Sequence, residues 1–250
     1  MALIEETLPE GYKRHAKVFS EEESKRFPPE REEDMSIKFK NDAPASINCK
    51  VYPLTRAERD LLQKFLAMEL ELGQIQEGPS PYTSPVYFIN KKDSEEKRII
   101  MNYWKINKWT ICDNNSLPNI RKALENFRGK GLFSKFDIRW GYNNIRLKEK
   151  DKHKVAFKIN FGTYIPQVMY FGLTNAPPFF QRVMHRDFWE LLQQYPENLR
   201  NYMDDWWIAT DDTEEEIQLH WQIVHAFLDQ MEWKSYFLKA SKTQFERPQI

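Results

Sequence analysis

The sequence predicts an α+β fold in which short strands and amphipathic helices are mixed within one or two subdomains. Three observations support this prediction: apolar runs of strand length bounded by turn residues, helical apolar stripes that follow capping residues, and no regular alternation of strand and helix. The chain has 250 residues, of which 41% are hydrophobic and 14% aromatic, enough for a substantial core. It contains no apolar stretch of transmembrane length and no signal-peptide pattern.

The first half of the chain predicts an arm, two helices and a hairpin. Residues 1–50 are charged and irregular, which favours a leader or extended arm. Thr55 and Glu58 form a capping box, and the helix that follows has a predicted apolar stripe of Leu61, Leu62, Phe65 and Leu66. The runs Val86 to Ile89 and Arg98 to Met101 predict a hairpin with a basic turn. A short helix is predicted to start at Ser116 to Pro118.

The second half predicts three separate strands, a hairpin and two longer helices. A strand over Leu132 to Ile138 carries Asp137 near its end, and further strands are predicted over Val155 to Ile159 and Tyr164 to Tyr170. Pro177-Pro178 begins a helix. Thr213 and Glu216 cap another helix, whose predicted apolar stripe is Ile217, Trp221, Val224, Leu228 and Met231. Cys49 and Cys112 have no CxxC pattern and are interpreted as free thiols in a reducing compartment.

The tetrapeptide Tyr202-Met203-Asp204-Asp205 lies between two apolar runs of strand length and predicts a hairpin. Two adjacent carboxylates at its bend would repel one another unless a cation lay between them. A divalent metal with a phosphate substrate supplies that cation in polymerases. A second pair, Asp211-Asp212, stands just before the Thr213 cap and is interpreted as an ordinary acidic helix start. An Asp-Asp pair alone is therefore a weak signal.

Charge is distributed unevenly along a chain whose formal net charge is zero. Residues 91–158 contain 18 Lys and Arg against 8 Asp and Glu, whereas residues 185–232 contain 2 against 12. This polarity suits a basic surface for phosphates and a carboxylate-rich zone for metal ions. Two ordinary solvated faces explain the same charges equally well.

Nucleotidyl transfer needs two divalent ions about 3.5–4 Å apart, held by a few aspartates together with substrate and water. Asp137 ends one predicted strand, and Asp204-Asp205 lie at a predicted hairpin bend. If the two strands are neighbours in one sheet, all three carboxylates converge at one edge. Taken alone, Asp137 is more simply explained as a strand-terminal turn residue.

From about Leu8 to Phe245 the chain resembles the reverse transcriptase domain of gypsy-type LTR retrotransposons. The resemblance depends on segments that occur in the family's order: YPLTRAERDLLQKFL, PSPYTSPVYFINKKD, FSKFDIRWGYNNIRLKEKD, VMYFGLTNAPPFFQRVM, YMDD and KASKTQF. YMDD alone is moderately specific, and its combination with FDIRWGYNN and FGLTNAPPFFQ is strongly so. The resemblance implies a right-hand polymerase fold with fingers and palm, in which helices back an antiparallel palm sheet.

The resemblance implies a role for ten positions. Asp137, Asp204 and Asp205 match the family's catalytic metal ligands for two Mg²⁺ ions, with Mn²⁺ as a substitute, and the Ile138 carbonyl faces the metal. Tyr142 matches an aromatic gate that excludes a 2′-hydroxyl and so favours deoxynucleotides. The remaining matches are the triphosphate contacts Lys91 and Arg98, the nucleotide-packing Phe171 and Gly172, and a candidate general acid, Lys242.

The chain also departs from the family's pattern. Asn102-Tyr103-Trp104 replaces Asp-Tyr-Arg, so a template-holding ion pair is lost, although tryptophan can still stack on a base. Trp206-Trp207 replace smaller aliphatic residues. The matching segments end at Phe245, so the thumb is expected to be essentially missing. The predicted division is an arm at 1–50 and a reverse transcriptase domain at 51–250, with fingers at 51–127 and 153–170 and palm at 128–152 and 171–245.

The sequence therefore predicts an RNA-directed DNA polymerase domain that extends a primer on an RNA or DNA template with deoxynucleoside triphosphates. The alternative is an inactive retroelement remnant that folds and binds nucleic acid. A metal-dependent nuclease has little support, because no His or Lys base motif accompanies the carboxylates. The resemblance implies the remainder of a pol polyprotein as a partner, no membrane, and a location in cytoplasmic virus-like particles with later nuclear entry.

Overall fold

The computed structural model describes residues 8–90, 97–115 and 117–248. The chain divides into two compact units. Unit 1 takes in the described parts of Met1–Lys25, Asn115–Gly141 and Phe180–Ile250, and unit 2 comprises the described parts of Arg26–Asn114 and Tyr142–Phe179. Each unit has its own sheet, which bears out the predicted α+β class.

Unit 2 contains a five-stranded sheet. Its strands, in sheet order, are β1 (Ile75–Glu77), β6 (Gly162–Pro166), β5 (Ala156–Ile159), β2 (Thr83–Asn90) and β3 (Lys97–Met101). All neighbours pair antiparallel except β2 and β5, which are parallel. The predicted hairpin is confirmed, because Ile89 pairs with Arg98 and Val86 with Met101. The strand predicted to reach Tyr170 ends at Pro166.

Unit 1 contains a four-stranded antiparallel sheet. Its strands, in sheet order, are β7 (Leu199–Tyr202), β8 (Asp205–Thr210), β4 (Leu132–Asp137) and β9 (Gln244–Arg247). The sequence predicted β4 and the β7–β8 hairpin. The sheet places β8 beside β4, so the two predicted acidic segments lie on adjacent strands.

The α-helices of the described residues are α1 (Glu21–Ser24), α2 (Arg56–Glu71), α3 (Trp104–Trp109), α4 (Ile120–Glu125), α5 (Ala176–Asp187), α6 (Trp189–Gln194) and α7 (Glu214–Trp233). The capping box of Thr55 and Glu58 is present, with both reciprocal hydrogen bonds. Thr213 caps α7 by accepting from the Glu216 N–H at 3.4 Å. The helix predicted to begin at 116–118 begins at Ile120.

Two residues that were predicted to belong to buried apolar stripes are exposed. Leu61 is 41% exposed, whereas Leu62 and Leu66 are buried. On α7 the buried stripe is His220, Ile223, Val224, Phe227, Leu228 and Met231, and Trp221 is 48% exposed. Successive helical residues differ by about 100°, so a stripe centred on His220 leaves Trp221 at its edge.

The N-terminal segment packs on the rest of unit 1. A 3₁₀ helix runs over Glu10–Phe19 and buries Tyr12, Val18 and Phe19. The Val18 carbonyl accepts from the Leu238 N–H at 2.8 Å, and the Tyr12 hydroxyl donates to Glu246 at 2.6 Å. Part of the predicted arm is thus helical and packed, while the boundary at residue 50 and the fingers–palm division stay predictions.

Two further findings concern the chain as a whole. No helix in the described part is both long and apolar enough to cross a membrane. Cys49 and Cys112 are free thiols, as predicted.

Candidate active site

The three predicted catalytic aspartates meet at one edge of the unit 1 sheet. Asp137, the last residue of β4, is the register partner of Asp205, the first residue of β8. Asp204 lies in the turn before it, and its carbonyl accepts from the Ile138 N–H at 2.9 Å. The backbone alone therefore brings together three carboxylates separated by 67 positions in sequence.

The turn between β7 and β8 is held by two buried amides. Tyr202 pairs with Asp205, which leaves Met203 and Asp204 as the two turn residues, and Met203 has a left-handed φ of 59°. Gln181 accepts from the Met203 N–H at 2.6 Å, and Asn201 donates to the Met203 carbonyl at 2.8 Å. Gln181 also donates to the Asn201 side chain at 2.5 Å. This closed set of hydrogen bonds fixes the residue that precedes Asp204.

Three lysines face these carboxylates. Lys239 contacts Oδ1 of Asp137 closely, and Lys242 lies 3.0 Å from Oδ2 of the same residue. Lys135 lies 3.4 Å from Asp205. Asp137 is only 7% exposed, so a shielded carboxylate has both oxygens engaged by ammonium groups.

The charges around Asp204 are unfavourable for its ionised form. Burial raises the pKa of the Asp204 carboxyl, and the neighbouring charges of Asp137 and Asp205 raise it further, whereas a backbone hydrogen bond and Lys239 act in the opposite direction. A divalent cation would relieve this repulsion, and carboxylate oxygens are the donors that Mg²⁺ prefers. Within the described residues, no three His, Cys, Asp or Glu side chains are gathered closely enough to hold a metal in the arrangement observed.

The two tryptophans that follow the acidic pair are buried on opposite faces of β8. Trp206 packs on Phe188 and Phe227, with ring centroids 4.5 and 5.2 Å apart. Trp207 packs on Phe127, and the Lys135 ammonium lies 5.6 Å from its ring centre. Because both faces of the strand are covered, the bulk that departs from the family's pattern is accommodated without exposing β8.

The second acidic pair has different surroundings. Asp211 pairs with Lys130 at 2.9 Å, and its side chain is 48% exposed. Asp212 is exposed and lies against Gly131, where an added Cβ would meet the Asp212 Cγ at 2.9 Å. The pair stands between β8 and α7, in agreement with its interpretation as a helix start.

Three of the predicted nucleotide contacts come together within unit 2. The Tyr142 and Phe171 rings are 4.7 Å apart at 41°, and the Arg98 guanidinium lies 5.8 Å from the Phe171 ring centre. Tyr142 is buried, whereas Phe171 is 49% exposed. Lys91, the other predicted triphosphate contact, lies outside the described residues.

Gly172 takes a conformation that requires glycine. Its φ is +102°, and an added Cβ would lie 3.1 Å from the Met101 carbonyl. Asn107 donates to the Gly172 carbonyl at 2.7 Å and accepts from the Thr174 N–H at 3.0 Å. The backbone after Phe171 is thereby fixed by one side chain of α3.

Unit 2 also has an aromatic and basic cavity of about 400 Å³, lined by Cys49, Lys50, Tyr52, Pro85, Asn102, Trp104 and Lys105. Trp104 is 70% exposed and Tyr52 is 41% exposed. Asn102 accepts from the N–H of Trp104, the first residue of α3, at 3.2 Å. Exposed rings beside lysines suit stacked bases with a phosphate backbone.

Sequence reasoning missed four residues that contact the site: Lys135, Gln181, Asn201 and Lys239. Lys135, Gln181 and Lys239 lie within segments that carried the family resemblance, and Asn201 directly precedes YMDD. The spacing of Lys239 and Lys242 from Asp137 gave no local signal, because the contacts form across more than 100 positions.

Comparison with known proteins agrees with this geometry. A family model described as "Reverse transcriptase (RNA-dependent DNA polymerase)" matches residues 89–250. The Pol polyprotein of transposon gypsy from Drosophila melanogaster is 32% identical over 140 residues, covering 54% of this chain and 14% of that protein. The Tf2-3 polyprotein of Schizosaccharomyces pombe is 25% identical over 98% of this chain and 18% of its own length. The chain thus spans less than a quarter of these relatives.

Solved structures show the same fold. Prototype foamy virus protease–reverse transcriptase matches 98% of this chain and 33% of its own, with a TM-score of 0.79 and 19% identity. A foamy viral protease–reverse transcriptase in complex with double-stranded DNA matches all of this chain and 44% of its own, with a TM-score of 0.76 and 16% identity. At these identities the likeness concerns the fold.

Proposed function

Because the chain belongs to the reverse transcriptase (RNA-dependent DNA polymerase) family, we propose that it extends a primer 3′-hydroxyl with deoxynucleotides on an RNA or DNA template. The observation that carries this proposal is the register of Asp137 with Asp205, with Asp204 in the turn between the strands. In this reaction the primer oxygen attacks the α-phosphorus and pyrophosphate leaves.

Asp137, Asp204 and Asp205 would hold the divalent ions, and Mn²⁺ is expected to substitute for Mg²⁺. When bound, two such ions would activate the primer hydroxyl and neutralise the triphosphate. The carboxylates provide hard oxygen donors, and the Met203 turn fixes Asp204 before any ligand arrives. Lys242, 3.0 Å from Asp137, is the proposed general acid that protonates the leaving pyrophosphate.

Selection of the nucleotide is assigned to unit 2. Tyr142 is proposed as the gate against a 2′-hydroxyl, with its ring supported by Phe171. Arg98 offers a planar guanidinium to phosphate oxygens, and Lys91 is proposed to act beside it. Gly172 allows the backbone to approach the nucleotide closely.

Template binding is assigned to the cavity around Trp104 and Tyr52. Their exposed rings offer stacking surfaces that accept any base, as a polymerase requires, and Lys50 and Lys105 offer charge to the backbone. This arrangement would compensate for the missing Asp–Arg pair of the family's pattern.

We propose that the chain is part of a larger pol polyprotein that also contains a thumb subdomain, an RNase H domain and an integrase. The proposed domain division places fingers at 51–127 and 153–170 and palm at 128–152 and 171–245. The proposed location is a cytoplasmic virus-like particle, with later entry into the nucleus.

The test is primer extension on a homopolymer RNA template with Mg²⁺, comparing the full chain with Asp204→Asn. The variant should lose extension by about a thousandfold or more, because the neutral amide at position 204 no longer binds cations. Its affinity for primer–template, measured by fluorescence anisotropy, should stay within about twofold.

Asp211→Asn is the matched control and should extend primers like the unchanged chain. Retained extension in Asp204→Asn would contradict the metal-ligand assignment. A full chain that binds primer–template without extending it would instead support the inactive remnant.

A further inference from the structure

The lysines around Asp137 differ in how the fold holds them. The Lys239 N–H donates to the Asp137 carbonyl at 2.9 Å, directly beside the bridge between Ile138 and Leu238. Its side chain is 31% exposed, whereas that of Lys242 is 60% exposed. Lys239 is therefore held against Asp137 by backbone and side chain together, whereas Lys242 approaches Asp137 from the solvent side.

An ammonium group and a divalent ion cannot both occupy contact distance from the same carboxylate oxygen without strong repulsion. Lys239 contacts Oδ1 of Asp137, and Lys242 lies on Oδ2. Any cation that binds Asp137 must consequently displace one of these ammonium groups or push it aside. The side chain of Asp137 is only 9% exposed, which limits screening of this competition by water.

We propose that Lys239 is an internal counter-cation that occupies Asp137 in the absence of metal and is exchanged for the divalent ion when nucleotide binds. The residue thereby makes metal binding depend on the nucleotide, because phosphate oxygens accept the displaced ammonium. Lys239 acts through Asp137 and is a positioning residue. This inference rests on the proposed two-metal function.

The experiment is a titration of the full chain with Mn²⁺, in which the electron paramagnetic resonance signal of free Mn²⁺ reports what remains unbound. Lys239→Gln should bind Mn²⁺ about three- to tenfold more tightly than the unchanged chain without nucleotide, because the competing charge is removed. Adding a deoxynucleoside triphosphate should reduce that difference to less than about twofold.

Three variants separate this role from a structural one. Lys239→Arg keeps the positive charge and should bind Mn²⁺ within about twofold of the unchanged chain. Lys130→Gln removes a lysine that pairs with Asp211 at 2.9 Å and should leave Mn²⁺ binding unchanged. Asp137→Asn should abolish Mn²⁺ binding at this site. The difference between this variant and the unchanged chain gives the part of the Mn²⁺ binding that depends on Asp137. Circular dichroism establishes that each variant is folded.

Unchanged or weaker Mn²⁺ binding in a folded Lys239→Gln variant would overturn the inference while leaving the proposed function intact. An equal gain in Lys130→Gln would also overturn it, since the effect would then reflect net charge alone. If neither the unchanged chain nor Lys239→Gln shows Mn²⁺ binding that depends on Asp137, the proposed two-metal function itself fails.

Discussion

The same dipeptide, Asp-Asp, occurs twice within nine residues and has two different environments. Asp204-Asp205 lie beside a third carboxylate, Asp137, and are faced by Lys135 and Lys239. Asp211-Asp212 lie seven positions later, between β8 and α7, where Lys130 pairs with Asp211. The first pair is part of a dense charge cluster in the sheet edge, and the second is a polar start to a helix.

The comparison shows that surroundings give an acidic pair its chemistry. Burial and two like charges raise the pKa of Asp204, so ionising it is less favourable in the folded protein than in the unfolded chain. Asp212 is exposed, and a solvated carboxylate close to a helix N-terminus is already stabilised. Four predictions test whether the two pairs differ in their effects on activity and stability.

The largest effect should follow from Asp137→Asn, which removes the third carboxylate from the first pair. Primer extension should fall roughly hundredfold to thousandfold, because the proposed ions would lose the ligand assigned to Asp137. Single-turnover extension with Mg²⁺ measures the change. Asp212→Asn, measured alongside, should stay within about twofold, and an equal loss there would remove the distinction between the two pairs.

The next effect concerns the turn that presents Asp204. Gln181→Met keeps a similar volume but removes the hydrogen bonds to the Met203 N–H in the turn and to the Asn201 side chain on β7. The kcat should therefore fall roughly tenfold to hundredfold as Asp204 loses its fixed position. The Michaelis constant for the nucleotide should change little. Gln230→Met is the control: it removes a 2.6 Å hydrogen bond from Gln230 on α7 to the Asp187 carbonyl at the end of α5, and should lower Tm without lowering kcat.

A smaller effect concerns stability and pH. Because the pKa of Asp204 is raised on folding, the native state binds its proton more tightly than the unfolded chain. Stability attributable to Asp204 is therefore present at low pH and is lost as pH rises through its folded pKa. Without divalent ions at neutral pH, Asp204→Asn should raise Tm by about 2–4 °C.

The Tm gain of Asp204→Asn should shrink as pH falls, and calorimetry over a pH series with Asp212→Asn as reference measures it. An Asp204→Asn variant that is less stable than the unchanged chain at neutral pH would show that the Asp204 carboxylate does not destabilise the folded state.

The smallest effect should come from the lysines. Lys130→Ala breaks a half-exposed ion pair and should cost less than about 1 kcal/mol of unfolding free energy, with a dependence on salt. Lys135→Ala should cost more, because Lys135 also lies 5.6 Å from the Trp207 ring centre. Urea unfolding at two salt concentrations measures both, and the reverse order would contradict the assigned contacts.

Much of the fold could be predicted because its signals are local. Thr55 and Glu58 mark a helix start in four residues, and the strand carrying Asp137 and the hairpin carrying Asp204 each show a short apolar run. Their convergence was a conditional prediction, and the register of Asp137 with Asp205 confirms it. The catalytic roles of these residues stay predictions.

The rest depends on contacts that no local pattern encodes. Lys239 reaches Asp137 across 102 positions, and Gln181 reaches Met203 across 22. Lysine and glutamine occur on most protein surfaces, so only the folded chain distinguishes these two from the others. The prediction that Trp221 belongs to the buried stripe was wrong for a related reason. The sheet that packs against α7 determines which face of the helix is buried.

The packing of Gly131 against Asp212 has a consequence for sequence variation among relatives. An added Cβ at position 131 would lie 2.9 Å from the Asp212 Cγ and 3.0 Å from its Cβ, which is closer than carbon atoms pack. The two positions should therefore covary: relatives with a side chain at the position of Gly131 should carry glycine or another small residue at that of Asp212. The acidic residue at position 212 would then be retained only in relatives that keep glycine at position 131.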